Sequence, residues 1–151
     1  MGFMYEWLSG LFGTSLSDYL WGYDCISGSY GNAQVYTGIG VVTLIVAVAS
    51  IVLFYFVIDH PRWASRLVPW LIWGIITCAI NGAIGALWTL TLLNNGAIGS
   101  CFQVLGINCI MFGIANMIDT AIIFAVLSFV VKRFSAVNKH TPWKSKFWVR
   151  K

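Results

Sequence analysis

Asp119 is a single acid inside a long apolar run, Cys109 to Val131, which ends abruptly at Lys132-Arg133. An ionised carboxylate facing lipid at that depth is costly, so the side chain should face protein or water. Asn116 precedes it by three residues, Thr120 follows it, and Gly113 lies three before Asn116, which gathers small and polar groups on one side of a helix. Asn81 sits near the middle of another apolar run. If the two helices pack antiparallel, Asn81 and Asp119 share a depth and can hydrogen-bond. Two chemistries suit this set. In one, Asp119, Asn116 and Asn81 line an aqueous, ion or proton path, as acidic rings do in cation channels. In the other they form a polar clasp with Thr120 that holds helices together, each bond contributing about 0.6 to 2 kcal/mol. The absence of a second intramembrane charge to relay a proton favours the clasp.

Other reactive residues point to less. Of the four cysteines, Cys25, Cys101 and Cys109 fall outside the apolar runs or at a boundary, where Cys25 with Cys101, or Cys101 with Cys109, can bridge; free buried thiols are the alternative. Cys78 lies within the second run. His60 and His140 are far apart, and neither has the neighbours a metal needs, so no metal or cofactor is expected. No nucleophilic triad, paired catalytic carboxylates or nucleotide loop is visible. Gly82-Ala83-Ile84-Gly85-Ala86 lacks the lysine and hydroxyl of a phosphate cradle. An enzyme is therefore not expected.

The elements that position these residues follow from composition. Hydrophobic residues make up 59% of the 151 and charged residues 9%, against roughly a quarter charged in a soluble domain. Such an exterior belongs in lipid. Val35 to Ile58 is uncharged and, as a helix, would reach about 36 Å, enough to cross a bilayer. Val68 to Leu93 and Cys109 to Val131 are the other two spans, and none shows the alternation of barrel strands. The second carries Gly74, Cys78, Asn81, Gly82 and Gly85 at separations of three and four, a small-residue stripe that admits a close neighbour. Three helices offer little interior for so much small and polar surface. A homo-oligomer or a place in a larger membrane complex is expected.

Residues 1 to 61 contain no Lys or Arg, while Arg62 and Arg66 lie in the first connection and the remaining seven between Lys132 and Lys151. The positive-inside rule then places 1–34 and the 94–108 loop outside, and the 59–67 connection and the tail inside. Cations of the 132–151 tail, including Lys132, Arg133, Lys144, Lys146 and Arg150, alternate with Phe134, Trp143, Phe147 and Trp148, a mixture suited to anionic lipid at the cytoplasmic face. Topogenesis explains the cluster most simply. Nothing resembles a nucleic-acid fold, and no nucleic-acid partner is expected.

Met1 to Phe12 lacks a positive n-region and carries Glu6, so it does not read as a cleaved signal. Phe3, Met4, Trp7, Leu8, Leu11 and Phe12 gather on one side of a helix, which describes either an interfacial amphipathic helix near 3–12 or a segment covering neighbouring helices. Ser15 to Gln34 reads as irregular loop. The apolar loop from Asn94 to Asn108 reads as a shallow outer helix, with re-entry as the alternative.

The expected class is an all-α membrane protein of three transmembrane helices, N-out and C-in, in the inner or plasma membrane, with a short N-terminal interfacial helix. Three spans in this orientation with a short basic tail resemble the topology of three-helix phage holins, a resemblance that implies a membrane-permeabilising oligomer. The expected function is a non-enzymatic scaffold or anchor in a membrane assembly; the alternative is a homo-oligomeric channel or holin-like pore.

Overall fold

In the computed structural model, residues 3–25, 27–31, 34–58, 67–99 and 101–131 are described. The fold is mostly helical, and three helices are long and apolar enough to cross a membrane. The first, α4 (Val35–Val52), continues as a π-helical extension over Leu53–Ile58; the second is α5 (Leu67–Asn94) and the third α6 (Gly106–Val131). The tail from Lys132 and the 59–66 connection, with both histidines, Arg62 and Arg66, lie outside the described residues.

The segment before α4 is more regular than its composition suggests. It forms α1 (Phe3–Glu6), α2 (Ser9–Phe12), α3 (Thr14–Leu20) and a hairpin of β1 (Tyr23–Asp24) and β2 (Ser29–Tyr30), with Tyr23 paired to Tyr30. The single helix expected over 3–12 is thus broken at Trp7-Leu8, and the loop expected from Ser15 contains α3. Tertiary burial accounts for both departures. Leu16 and Leu20 are fully buried, and Ser17 accepts a hydrogen bond from the Tyr36 hydroxyl of α4 at 3.1 Å. In the first helical turns, Tyr5, Leu8 and Phe12 are buried, while Trp7 and Leu11 remain exposed.

Gly13 makes the bend between α2 and α3. Its φ of +92° strains any side-chain-bearing residue, and a Cβ there would stand 2.9 Å from Asn108 Nδ2. Asn108 Nδ2 donates to the Phe12 carbonyl at 2.8 Å. Its Oδ1 also accepts from the Leu105 amide at 3.1 Å, so one side chain steadies the start of α6 and the end of α2.

Packing divides into two cores. One joins Tyr5, Leu8, Phe12, Leu16 and Leu20 to Tyr36 and Ile39 of α4 and to Cys109, Phe112 and Ala115 of α6. The other, towards the opposite end of the helices, gathers Ile51, Phe54, Tyr55 and Phe124, flanked by Trp70 and Trp73. Between Asn94 and α6 the described chain forms turns rather than a shallow helix. Two apolar residues of that loop are covered: Ile98 is buried, and the Phe102 ring lies edge-on to Tyr19 and Tyr23, while Leu105 stays exposed.

A disulfide between Cys25 and Cys101 fastens this layer, joining the hairpin to the α5–α6 loop across 76 residues of sequence. Of the pairings open from the sequence, this is the one formed; Cys78 and Cys109 are free. Replacing Cys25 with serine should lower stability by about 2 to 4 kcal/mol, the usual value of a bridge closing a long loop. Thermal unfolding in lipid nanodiscs measures the loss. Alkylation before and after reduction, followed by mass spectrometry, should show two thiols gained on reduction in the wild type and none in Cys25→Ser, where Cys101 is already free.

Candidate functional site: a polar seam at mid-span

Asp119 is the fourteenth residue of α6, about 20 Å from either end of that helix, and is 4% exposed. Around it lies a seam of polar groups contributed by four elements. Asn116 is the hub. Its Oδ1 accepts from the Tyr5 hydroxyl of α1 at 2.9 Å and from the Thr43 hydroxyl of α4 at 3.1 Å, while its Nδ2 donates to the Asn81 carbonyl of α5 at 2.7 Å. Asn81 Nδ2 donates to the Thr43 carbonyl at 3.3 Å, closing a ring of contacts between α4, α5 and α6. The Thr120 hydroxyl bonds back to the Asn116 carbonyl at 2.6 Å. Tyr5, Thr43, Asn81, Asn116 and Thr120 are all buried. Burial pushes the Tyr5 phenol up to about 12, so it stays a neutral donor across the physiological range.

Asp119 lies at the edge of this ring rather than within it. Its Oδ1 accepts from the Trp7 indole at 3.2 Å, and its Oδ2 is buried without a hydrogen-bond partner. Asn81 does not bond to it; Asn81 Oδ1 is likewise buried and unpartnered. The juxtaposition read from helix depth is therefore replaced by one through Asn116. Sequence reasoning missed Tyr5, Trp7 and Thr43. Thr43 was findable as the polar interruption of the first apolar run. Tyr5 and Trp7 were not, because their partners lie 111 and 112 residues away.

Glycines explain how the seam closes. A Cβ on Gly113 would meet the Ala86 Cβ at 2.7 Å and the Gly82 carbonyl oxygen at 2.8 Å, so α5 and α6 approach nearly backbone to backbone there. A Cβ on Gly85 would press on Asn116 Nδ2 at 3.1 Å, and one on Gly74 on the Phe124 ring at 3.1 Å. The small-residue stripe is thus occupied within one chain. Nearer the start of α5, Trp70 Nε1 donates to Ser128 Oγ at 3.2 Å and Trp73 Nε1 to the Ser50 carbonyl at 3.0 Å, while the Ser50 and Thr77 hydroxyls share a short hydrogen bond.

No group of three or more His, Cys, Asp and Glu side chains that could hold a metal occurs among the described residues. Comparison with known protein families, curated proteins and solved structures finds no match.

Proposed function

We infer that this chain is a small non-enzymatic integral membrane subunit whose rigid helical body anchors or scaffolds a larger membrane assembly. The observation that carries this reading is the closure of the seam on itself: Asn116 ties four elements of a single chain, and its neighbours spend their hydrogen bonds on one another. A path for ions needs polar groups left facing water, and these face protein instead. The exposed side chains of the three long helices include Ile45, Ile75, Leu87, Ile110, Ile122 and Val126, a surface suited to acyl chains or to the helices of a partner.

The orientation belongs to the same proposal. Positive charge placed after the last span, and its absence before Arg62, support N-out and C-in. A bridge between Cys25 and Cys101 supports placing the hairpin and the α5–α6 loop on the oxidising side. The basic, aromatic tail then meets anionic lipid on the inner face. In this reading the segment with α1 and α2 covers neighbouring helices instead of lying flat on the interface.

Two measurements test the assignment. Native electrophoresis of gently solubilised source membranes should find the chain in a complex well above its own 16.7 kDa. Purified protein in liposomes should pass no ions. Ion flux that disappears in Asp119→Asn, with particle size unchanged, would reverse the conclusion in favour of a channel.

A further inference from the structure

The donors and acceptors of the seam do not balance. Tyr5, Trp7, Thr43 and Thr120 each direct their N–H or O–H to an acceptor other than Asp119 Oδ2, as do the amide nitrogens of Asn81 and Asn116. Two buried acceptors are left without a donor, Asn81 Oδ1 and Asp119 Oδ2, and only the second, in a residue 4% exposed, can ionise. Among the described residues there is no Lys, Arg or His to serve as its counter-ion. Titratable side chains on the elements packed around it are Tyr5 and Glu6 of α1, Tyr36 of α4, Cys78 of α5 and Cys109 of α6 itself, and none of them supplies positive charge. A lone ionised carboxylate enclosed at mid-span is among the costliest arrangements a membrane protein can hold. One small donor fits the enclosed oxygen without moving any side chain, and that donor is a proton.

We propose that Asp119 is a buried proton-binding site coupled to the outer segment: it holds a proton while α1 and α2 are seated on α6, and loss of that proton to water unseats them. The coupling runs through Trp7. Its indole donates to Asp119 Oδ1, which still accepts as the carbonyl oxygen of a neutral acid, and the adjacent Tyr5 and Leu8 are buried by the same seating. Once Oδ2 is ionised, it gains solvation only if water reaches it. The cover that stands in the way from the outer side is this two-helix segment, which has no covalent tie of its own to α6 below the Cys25–Cys101 bridge. The site is independent of whether the chain anchors an assembly.

The test uses the full chain in lipid nanodiscs, with Cys78 and Cys109 replaced by alanine. Infrared difference spectra should show the carbonyl stretch of a protonated carboxyl at neutral pH, absent in Asp119→Asn. Leu8→Cys reports seating through its labelling by N-ethylmaleimide, with the exposed Leu11→Cys as the reference for intrinsic thiol reactivity. The ratio of the two rates should climb with alkalinity by about tenfold per pH unit over the range in which unseating releases the proton. Asp119→Asn should hold the ratio low at every pH, and Trp7→Phe should bring the rise to lower pH. A carboxylate at neutral pH, a ratio independent of pH in the wild type, or an unchanged rise in Asp119→Asn each overturns the proposal.

Discussion

Asn116→Leu is expected to destabilise the folded chain in lipid by about 2 to 5 kcal/mol, the sum for three side-chain hydrogen bonds at the 0.6 to 1.7 kcal/mol measured for such bonds in membranes. Leucine approximates the volume of asparagine but leaves the Tyr5 and Thr43 hydroxyls and the Asn81 carbonyl without their partners. Because those groups belong to α1, α4 and α5, the loss should appear as failure of three elements to dock, rather than as local fraying of α6. Thr43→Val removes a single donor and should cost about 1 kcal/mol. Unfolding by steric trapping in bicelles resolves the two. Equal effects from both substitutions would mean that Asn116 is not the hub.

Gly113→Val should be the most damaging steric change in the protein. Even an alanine Cβ would lie 2.7 Å from Ala86 Cβ and 2.8 Å from the Gly82 carbonyl oxygen, distances that ordinary contacts do not reach. A carbonyl oxygen in a helix cannot swing aside as a side-chain tip can, so α5 and α6 must separate. Overpacking typically costs about 1 to 3 kcal/mol where side chains can yield; with backbone on one side the loss should be at the top of that range or above it. Gly82→Ala, whose Cβ would press first on the flexible Met117 side chain, should be milder. Thermal unfolding in nanodiscs ranks them, and the order Gly113→Val, Gly113→Ala, Gly82→Ala is the expected one.

Three long helices were legible because lipid reduces the problem to length and charge: each run between breakers was close to the helix that forms, with α6 starting at Gly106 rather than Cys109. The stripe through Gly74, Gly82 and Gly85 was equally readable as a close-approach surface. Its partner was not. Spacing says that a face is small but not which helix lies against it, and Gly113 of the same chain fills the place that invited a second subunit. The missing interior that argued for an oligomer is supplied by the segment before α4, which brings Tyr5, Leu8 and Phe12 to α6 and adds a fourth wall to that end of the bundle. That wall escaped detection because two four-residue helices have no period long enough to read. Asp119 was recognisable as a residue that must avoid lipid, yet the indole that shields it comes from the far end of the polypeptide.

The contacts of Tyr5 with Asn116 and of Trp7 with Asp119 also impose a calendar on biogenesis. Both aromatic residues are synthesised more than a hundred residues before their partners emerge, as the sequence separations of 111 and 112 require. A piece made before all three long helices therefore completes its docking only after the last of them. Until α6 is inserted, the Tyr5 hydroxyl and the Trp7 indole lack these acceptors, and the bridge to Cys101 cannot close, because its second sulfur is made only 76 residues after the first. Ribosome stalling between α5 and α6 would leave two finished spans and a loose, adhesive segment ahead of them.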